Sequence, residues 1–291
     1  MEYTLGLIFA FLAMIGFGVS NFVVQPLTKR MPNDPLIVYR NILLSLVIGC
    51  FCLVGYFFSW FTFSFSWKMV GIALLVALVG YLPYLTFLRA LRKGKVSIVV
   101  AVTNSTLLFT ALFAWILYGE QLSSKSYLGI IIIFAGLLMV SLKDFSLKQK
   151  AEILAKGVGF ALLTSVLWGF MFVLWKIPAN GLGPMLSAFF LEFGLFIWAG
   201  IAVLLRRQKM PKPSLDSWSR FLIIGFSTGI ATTSTNVALT MIPASLIAPI
   251  VYSQSAVVAL LSRVFYKEQL MWRQYLGIVV LIVGMFVLAR V

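Results

Sequence analysis

Arg40 and Glu192 each put a full charge inside a long apolar run. Such charges are costly in hydrocarbon, so they face a cavity, an ion path or a partner. Glu192 is the only carboxylate deep in such a run, and its chemistry has two readings. It binds a coupling proton or the cationic group of a substrate. Alternatively, it pairs with Arg40 and holds two parts of the molecule together. Arg40 can also extend to a membrane interface.

Neutral polar groups come in clusters. Thr103-Asn104-Ser105-Thr106 and Tyr252-Ser253-Gln254-Ser255 are polar runs in apolar surroundings, and positions 105 and 253 are 148 apart. They make Asn104, Ser105, Tyr252 and Gln254 candidate substrate-binding residues; the plainer role is hydrogen bonding between helices. Thr232-Thr233-Ser234-Thr235-Asn236 cannot all face lipid, which adds Thr232 and Asn236. Tyr81 and Tyr84 share a helix face and, with Trp168, make a candidate aromatic wall for an apolar or flat substrate. Ordinary packing is the alternative for each aromatic. Asn21 is a further mid-run amide, and Pro249 removes a backbone donor near the second cluster.

Other chemistries have little to work with. The chain has no histidine, which removes the commonest base, metal ligand and pH switch. Cys50 and Cys52 are two apart and would not face each other on a helix. No P-loop is present, so ATP-driven pumping is not expected. A membrane enzyme would need clustered titratable groups at one interface. The expectation is no catalytic residue, no metal and no cofactor.

The elements that position these residues are membrane spans. Of 291 residues, 62% are hydrophobic and 11% charged, and the mean hydropathy is +1.04. A soluble domain is about half apolar and a quarter charged. Ten windows are long and apolar enough to cross a bilayer: Leu5–Leu27, Leu36–Phe58, Met69–Leu91, Val96–Tyr118, Tyr127–Leu142, Gly157–Ile177, Met185–Leu205, Phe221–Thr240, Ser245–Tyr266 and Gln274–Ala289. Trp60, Trp67, Trp218 and Trp272 lie at window ends, as interfacial anchors do.

The windows form two copies of one unit. Tyr118-Gly119-Glu120-Gln121-Leu122, followed by Tyr127-Leu128-Gly129-Ile130, returns as Tyr266-Lys267-Glu268-Gln269-Leu270, followed by Tyr275-Leu276-Gly277-Ile278. Aligned without a gap, 111–136 and 259–284 share 11 of 26 positions. The division is a repeat over 1–142, a linker over 143–156 and a repeat over 157–291. Five spans per copy is an odd number, so the second copy enters the membrane from the opposite face. The expected fold is an all-α membrane protein of ten transmembrane helices arranged as two inverted five-helix repeats. Glu120 and Glu268 are expected to complement the positive ends of the fifth and tenth helices.

The net charge of +15 does not indicate nucleic acid, because the cations sit in short loops. Eighteen fall on one side and four on the other, which puts the 143–156 linker in the cytoplasm and both termini outside. Expected partners are a small-molecule substrate and the lipid bilayer. A monomer is expected, since the fused repeats already make a pseudo-dimer. The first span is expected to be retained rather than cleaved as a signal peptide.

With those motifs in view, the chain resembles the drug/metabolite transporter superfamily, in its ten-span EamA-type branch. The resemblance rests on the Glu-x-Leu signatures, Trp168-Gly169, Ala90-Leu91, Ala238-Leu239 and Pro249. The first copy departs from it, with Phe17-Gly18 for Trp-Gly and Ala101 opposite Pro249. The resemblance implies export or exchange of small metabolites by alternating access, from a multi-pass position in the cell membrane. It also implies a central cavity lined by spans one, three, four, six, eight and nine. Family members usually keep both termini in the cytoplasm, against the charge count. Flipping of a lipid or lipid-linked sugar is the alternative function.

Overall fold

The computed structural model describes residues 2–59, 63–93, 99, 102–141, 157–267 and 269–290, with Leu91 as backbone only. Trp60, Lys95, Ala101, Glu268, the 143–156 linker and most of the fourth window before Val102 lie outside the described residues.

The described residues fold as helices: α1 (Glu2–Arg30), α2 (Asn33–Phe57), α3 (Trp67–Lys93), α4 (Thr106–Tyr118), α5 (Ser124–Ser141), α6 (Val158–Leu174), α7 (Lys176–Leu182), α8 (Pro184–Leu205), α9 (Leu215–Met241), α10 (Ala244–Tyr252), α11 (Gln254–Tyr266) and α12 (Trp272–Ala289). Helices satisfy their own backbone, which lipid cannot do. Among the described residues nine helical stretches can span a bilayer, counting α6–α7 and α10–α11 as one each. The shorter α4 is the described part of the fourth span. Large apolar side chains such as Leu46, Leu75, Ile131 and Val264 point outward, where lipid replaces water.

The packing carries the repeat symmetry. Exchanging the halves turns span one into six, two into seven, and so on. The α1–α9 contact then becomes α6–α3, and α2–α9 becomes α8–α3; both members of each pair exist. The contacts of span two with seven (α2–α8), four with nine (α4–α10) and five with ten (α5–α12) join spans that the exchange swaps, and they lie along the axis relating the halves; residue by residue α4 exchanges with α11, not with α10. The α5–α12 crossing explains the signature glycines. A Cβ on Gly136 would sit 2.9 Å from the Gly277 carbonyl oxygen, and one on Gly277 would sit 3.0 Å from that of Gly136. Only glycine permits that backbone approach.

Among the described residues three spans are interrupted: the sixth turns at Trp175 between α6 and α7, while the fourth and ninth turn at positions that the repeat aligns. In the fourth, the chain turns at Asn104–Ser105 before α4; in the ninth, it turns at Ser253 between α10 and α11. Both turns close with i to i+3 bonds: Ser105 N–H to the Val102 carbonyl at 3.0 Å, and Ser253 N–H to the Ile250 carbonyl at 3.0 Å. Positions 105 and 253 are the ones aligned by the repeat. The Ser253 hydroxyl donates back to the Pro249 carbonyl at 2.8 Å, which supports the turn. Tyr3 donates to the Leu288 carbonyl at 2.6 Å, so α1 starts on the face where α12 ends.

Candidate functional site

The buried charges lie on α2 and α8, which pack along the symmetry axis. Arg40 Nη1 stands 3.6 Å from Glu192 Oε2, and both side chains are almost fully enclosed. This is longer than a hydrogen bond, because Asn41 stands between them. Its amide nitrogen donates to Glu192 Oε2 at 2.8 Å and to the Glu192 backbone carbonyl at 3.0 Å. Its amide oxygen accepts from Arg40 Nη1 at 2.7 Å. Thr232 of α9 donates to the other carboxylate oxygen, Oε1, at 2.8 Å. The Arg40 guanidinium lies 5.3 Å from the centre of the Tyr84 ring. Tyr84 meets Trp168 edge to face at 6.3 Å, and Phe87 meets Trp168 at 5.1 Å. The result is one chain of contacts, Thr232–Glu192–Asn41–Arg40–Tyr84–Trp168, running through α9, α8, α2, α3 and α6.

Other candidates lie in separate contacts. Asn21 of α1 donates to Gln254 at 2.9 Å, just past the break in span nine. Tyr252 packs on Phe172 at 5.9 Å on the other side of that break. Asn236 accepts from Ser187 at 2.9 Å and donates to the Thr232 carbonyl at 2.8 Å, tying α9 to α8. Asn104 donates to Ser141 at 3.0 Å, while the Ser105 hydroxyl bonds back to Val102 at 2.6 Å. Tyr81 donates to Asp34 at 2.6 Å, so its hydroxyl points toward the start of α2. Arg206 and Gln208 also donate to Asp34, each at 2.8 Å.

Asn41, Asp34 and Lys176 were missed by sequence reasoning. Asn41 carries a signal: an amide beside an arginine in an apolar run. Asp34 falls just before the second window. Lys176 reads as a loop cation by position, yet it holds Glu120. Glu120 does meet a helix start, but the helix is α10 of the other repeat. Its carboxylate accepts the backbone N–H groups of Ala244 and Ser245 at 3.3 Å each, and the Ser245 hydroxyl at 2.7 Å. Lys176 Nζ adds an ion pair at 3.0 Å. Burial works to raise the Glu120 pKa; the hydrogen bonds from Ser245 and Lys176 outweigh it and hold the carboxyl below its ordinary range.

Among the described residues no group of three or more histidine, cysteine or acidic side chains is arranged to hold a metal ion. What the arrangement offers is a buried acid–guanidinium pair, an aromatic surface beside it, and two spans interrupted at positions that the repeat aligns. A family model, described as the EamA-like transporter family, matches residues 4–142 and again residues 155–290. The chain belongs to the EamA-like transporter family. As such it is a multi-pass membrane protein of a family of small-molecule transporters. This EamA-like chain also resembles a solved crystal structure of a protein, with a TM-score of 0.78 and 17% identity, over 97% of each chain. At that identity the likeness is one of fold. No curated protein sequence matches the chain.

Proposed function

We propose that this EamA-like protein is a secondary transporter that exports or exchanges a small metabolite, such as an amino acid, across the cell membrane by alternating access. One observation carries the reading. Spans four and nine break at the same register, at Ser105 and Ser253, and their halves on one side, α4 and α10, pack together under the Glu120 tie. Interrupted helices at the repeat interface are where inverted-repeat carriers bind substrate near the midplane. The units 1–142 and 157–291, joined by 143–156, are the bodies that rock. The candidate binding residues are those around the Arg40–Glu192 chain and the Asn21–Gln254 contact. The charge count favours a cytoplasmic linker with both termini outside, and family habit favours the reverse. The molecule works as a monomer and carries out no catalysis.

The test is uptake into proteoliposomes from pooled metabolites, with and without a pH gradient. Flux above protein-free vesicles is expected for at least one metabolite; none at all would overturn the reading. Under proton coupling through Glu192, Glu192→Gln abolishes the response to the gradient. Labelling a cysteine placed in the 143–156 linker from each side decides orientation.

A flippase reading has its own observation. A groove of about 580 Å³ runs between α2 and α8, lined by Ser45, Gly49, Leu53 and Phe189 among others. Leu53 is also among the large exposed apolar side chains, on the lipid-facing surface. Movement of a labelled lipid across vesicles, with no metabolite flux, would favour it.

A further inference from the structure

Within that carrier reading, we propose that Arg40 is the anchor for a substrate carboxylate, with Tyr84 and Trp168 as the wall against which the rest of the substrate lies. A guanidinium presents five N–H donors in a flat fork that matches a carboxylate in a two-point grip. A purely structural ion pair would turn that fork onto Glu192. Here the Glu192 oxygens are served by Asn41 and Thr232, and the nearest guanidinium nitrogen is 3.6 Å away. The hydrogen bond that Arg40 makes goes to the Asn41 amide oxygen. Its Nε is buried without a partner, in a residue only 5% exposed.

A buried donor on a charged group is costly to leave unmade. A carboxylate arriving at the Nε edge supplies the missing acceptor and a charge-assisted bond. Glu192 offsets the guanidinium charge without taking the Nε edge of the fork. Asn41 holds the two apart, so that the acid does not take the place of the ligand. Tyr84 lies under the guanidinium, and its neighbours Trp168 and Phe87 extend an apolar surface away from it. Both Tyr84 and Trp168 are only partly buried, so this surface is not closed off by packing. The ligand class is therefore an organic carboxylate with a flat or apolar body. An amino acid qualifies through its carboxylate; an amine of the same shape does not.

The experiment is a thermal shift of the purified full-length protein with three matched probes: phenylpropionate, phenylalanine and phenethylamine. Both carboxylates are expected to raise the Tm with concentration, and the amine to leave it unchanged. No shift by either carboxylate at millimolar concentration, or a shift by the amine alone, overturns the proposal. Arg40→Lys keeps the charge opposite Glu192 and removes the fork. It is expected to weaken carboxylate binding at least about tenfold; unchanged binding would mean that Arg40 is structural. Arg40→Met combined with Glu192→Gln removes both charges together, so no acid is stranded. It is expected to fold and not bind, and retained binding again overturns the anchor. Carboxylate binding with no uptake into proteoliposomes would sink the carrier reading alone. Uptake of a carboxylate that ignores Arg40→Lys would sink the anchor alone.

Discussion

Asn41 sits between two buried charges and serves both, so its loss reaches further than one neutral side chain. Asn41→Leu removes the amide that donates to both the Glu192 carboxylate and the Glu192 backbone carbonyl, and leaves Arg40 without its acceptor. Leaving buried polar groups unmade costs about 1–3 kcal/mol each. A clear drop in Tm in detergent is expected, larger than for Asn21→Leu, which breaks one partly exposed contact. Glu120 gives a pH prediction. Its carboxyl is held below the ordinary 4.5 by the contacts that tie the halves together. A lowered pKa means that the tie is complete above the ordinary value and is lost as pH falls through the lowered one. The Tm advantage of the wild type over Glu120→Gln should hold at neutral pH, shrink below 4.5 and then vanish. A difference that stays constant through that range would assign the stabilisation to something else. These two residues also mark where sequence reading stops. An apolar run with a charge in it announces Arg40 and Glu192 whatever the tertiary fold. The partner of Glu120 is 125 positions away in the other repeat, and nothing local to it points there. Tyr81 and Tyr84 share a spacing, but only the fold brings Asp34 to one and Arg40 to the other.

At the scale of elements, the repeat signature was legible because its residues have backbone jobs. Gly119 closes α4 in a left-handed conformation, with φ 63°. The aligned position in the second copy is Lys267, which ends α11 at φ 53°. A side chain in that region is strained by roughly 1–2 kcal/mol relative to the right-handed form. Lys267→Gly should therefore raise stability by about 1 kcal/mol with no loss of transport, read as a higher Tm. The α5–α12 crossing predicts the reverse. A side chain at Gly136 runs into the Gly277 carbonyl and the Leu281 side chain, so Gly136→Leu should destabilise by about 1–3 kcal/mol or more. The interruptions at Ser105 and Ser253 were foreshadowed only as polar clusters at matched positions. Composition locates such clusters, whereas the i to i+3 turn within them depends on side chains bonding back to the backbone.

For the whole molecule, the odd number of spans per repeat makes the halves exchangeable, and the pairwise packing obeys that exchange. The Glu120 tie is where the exchange matters most, since one residue of the first repeat holds both Lys176 and the start of α10 in the second. On the proposed rocking of one half against the other, these groups part. Joining them covalently should then hold the molecule in one state. With Cys50 and Cys52 replaced by alanine, Glu120→Cys together with Ser245→Cys provides a pair for a short bifunctional thiol reagent. Cross-linked protein in proteoliposomes should lose nearly all transport. A cleavable reagent should restore it on reduction, and each single cysteine should be unaffected by the treatment. Full transport by the cross-linked protein would mean that α4 and α10 stay together throughout the cycle. Exchange of the two halves about that contact would then be ruled out as the route by which substrate crosses.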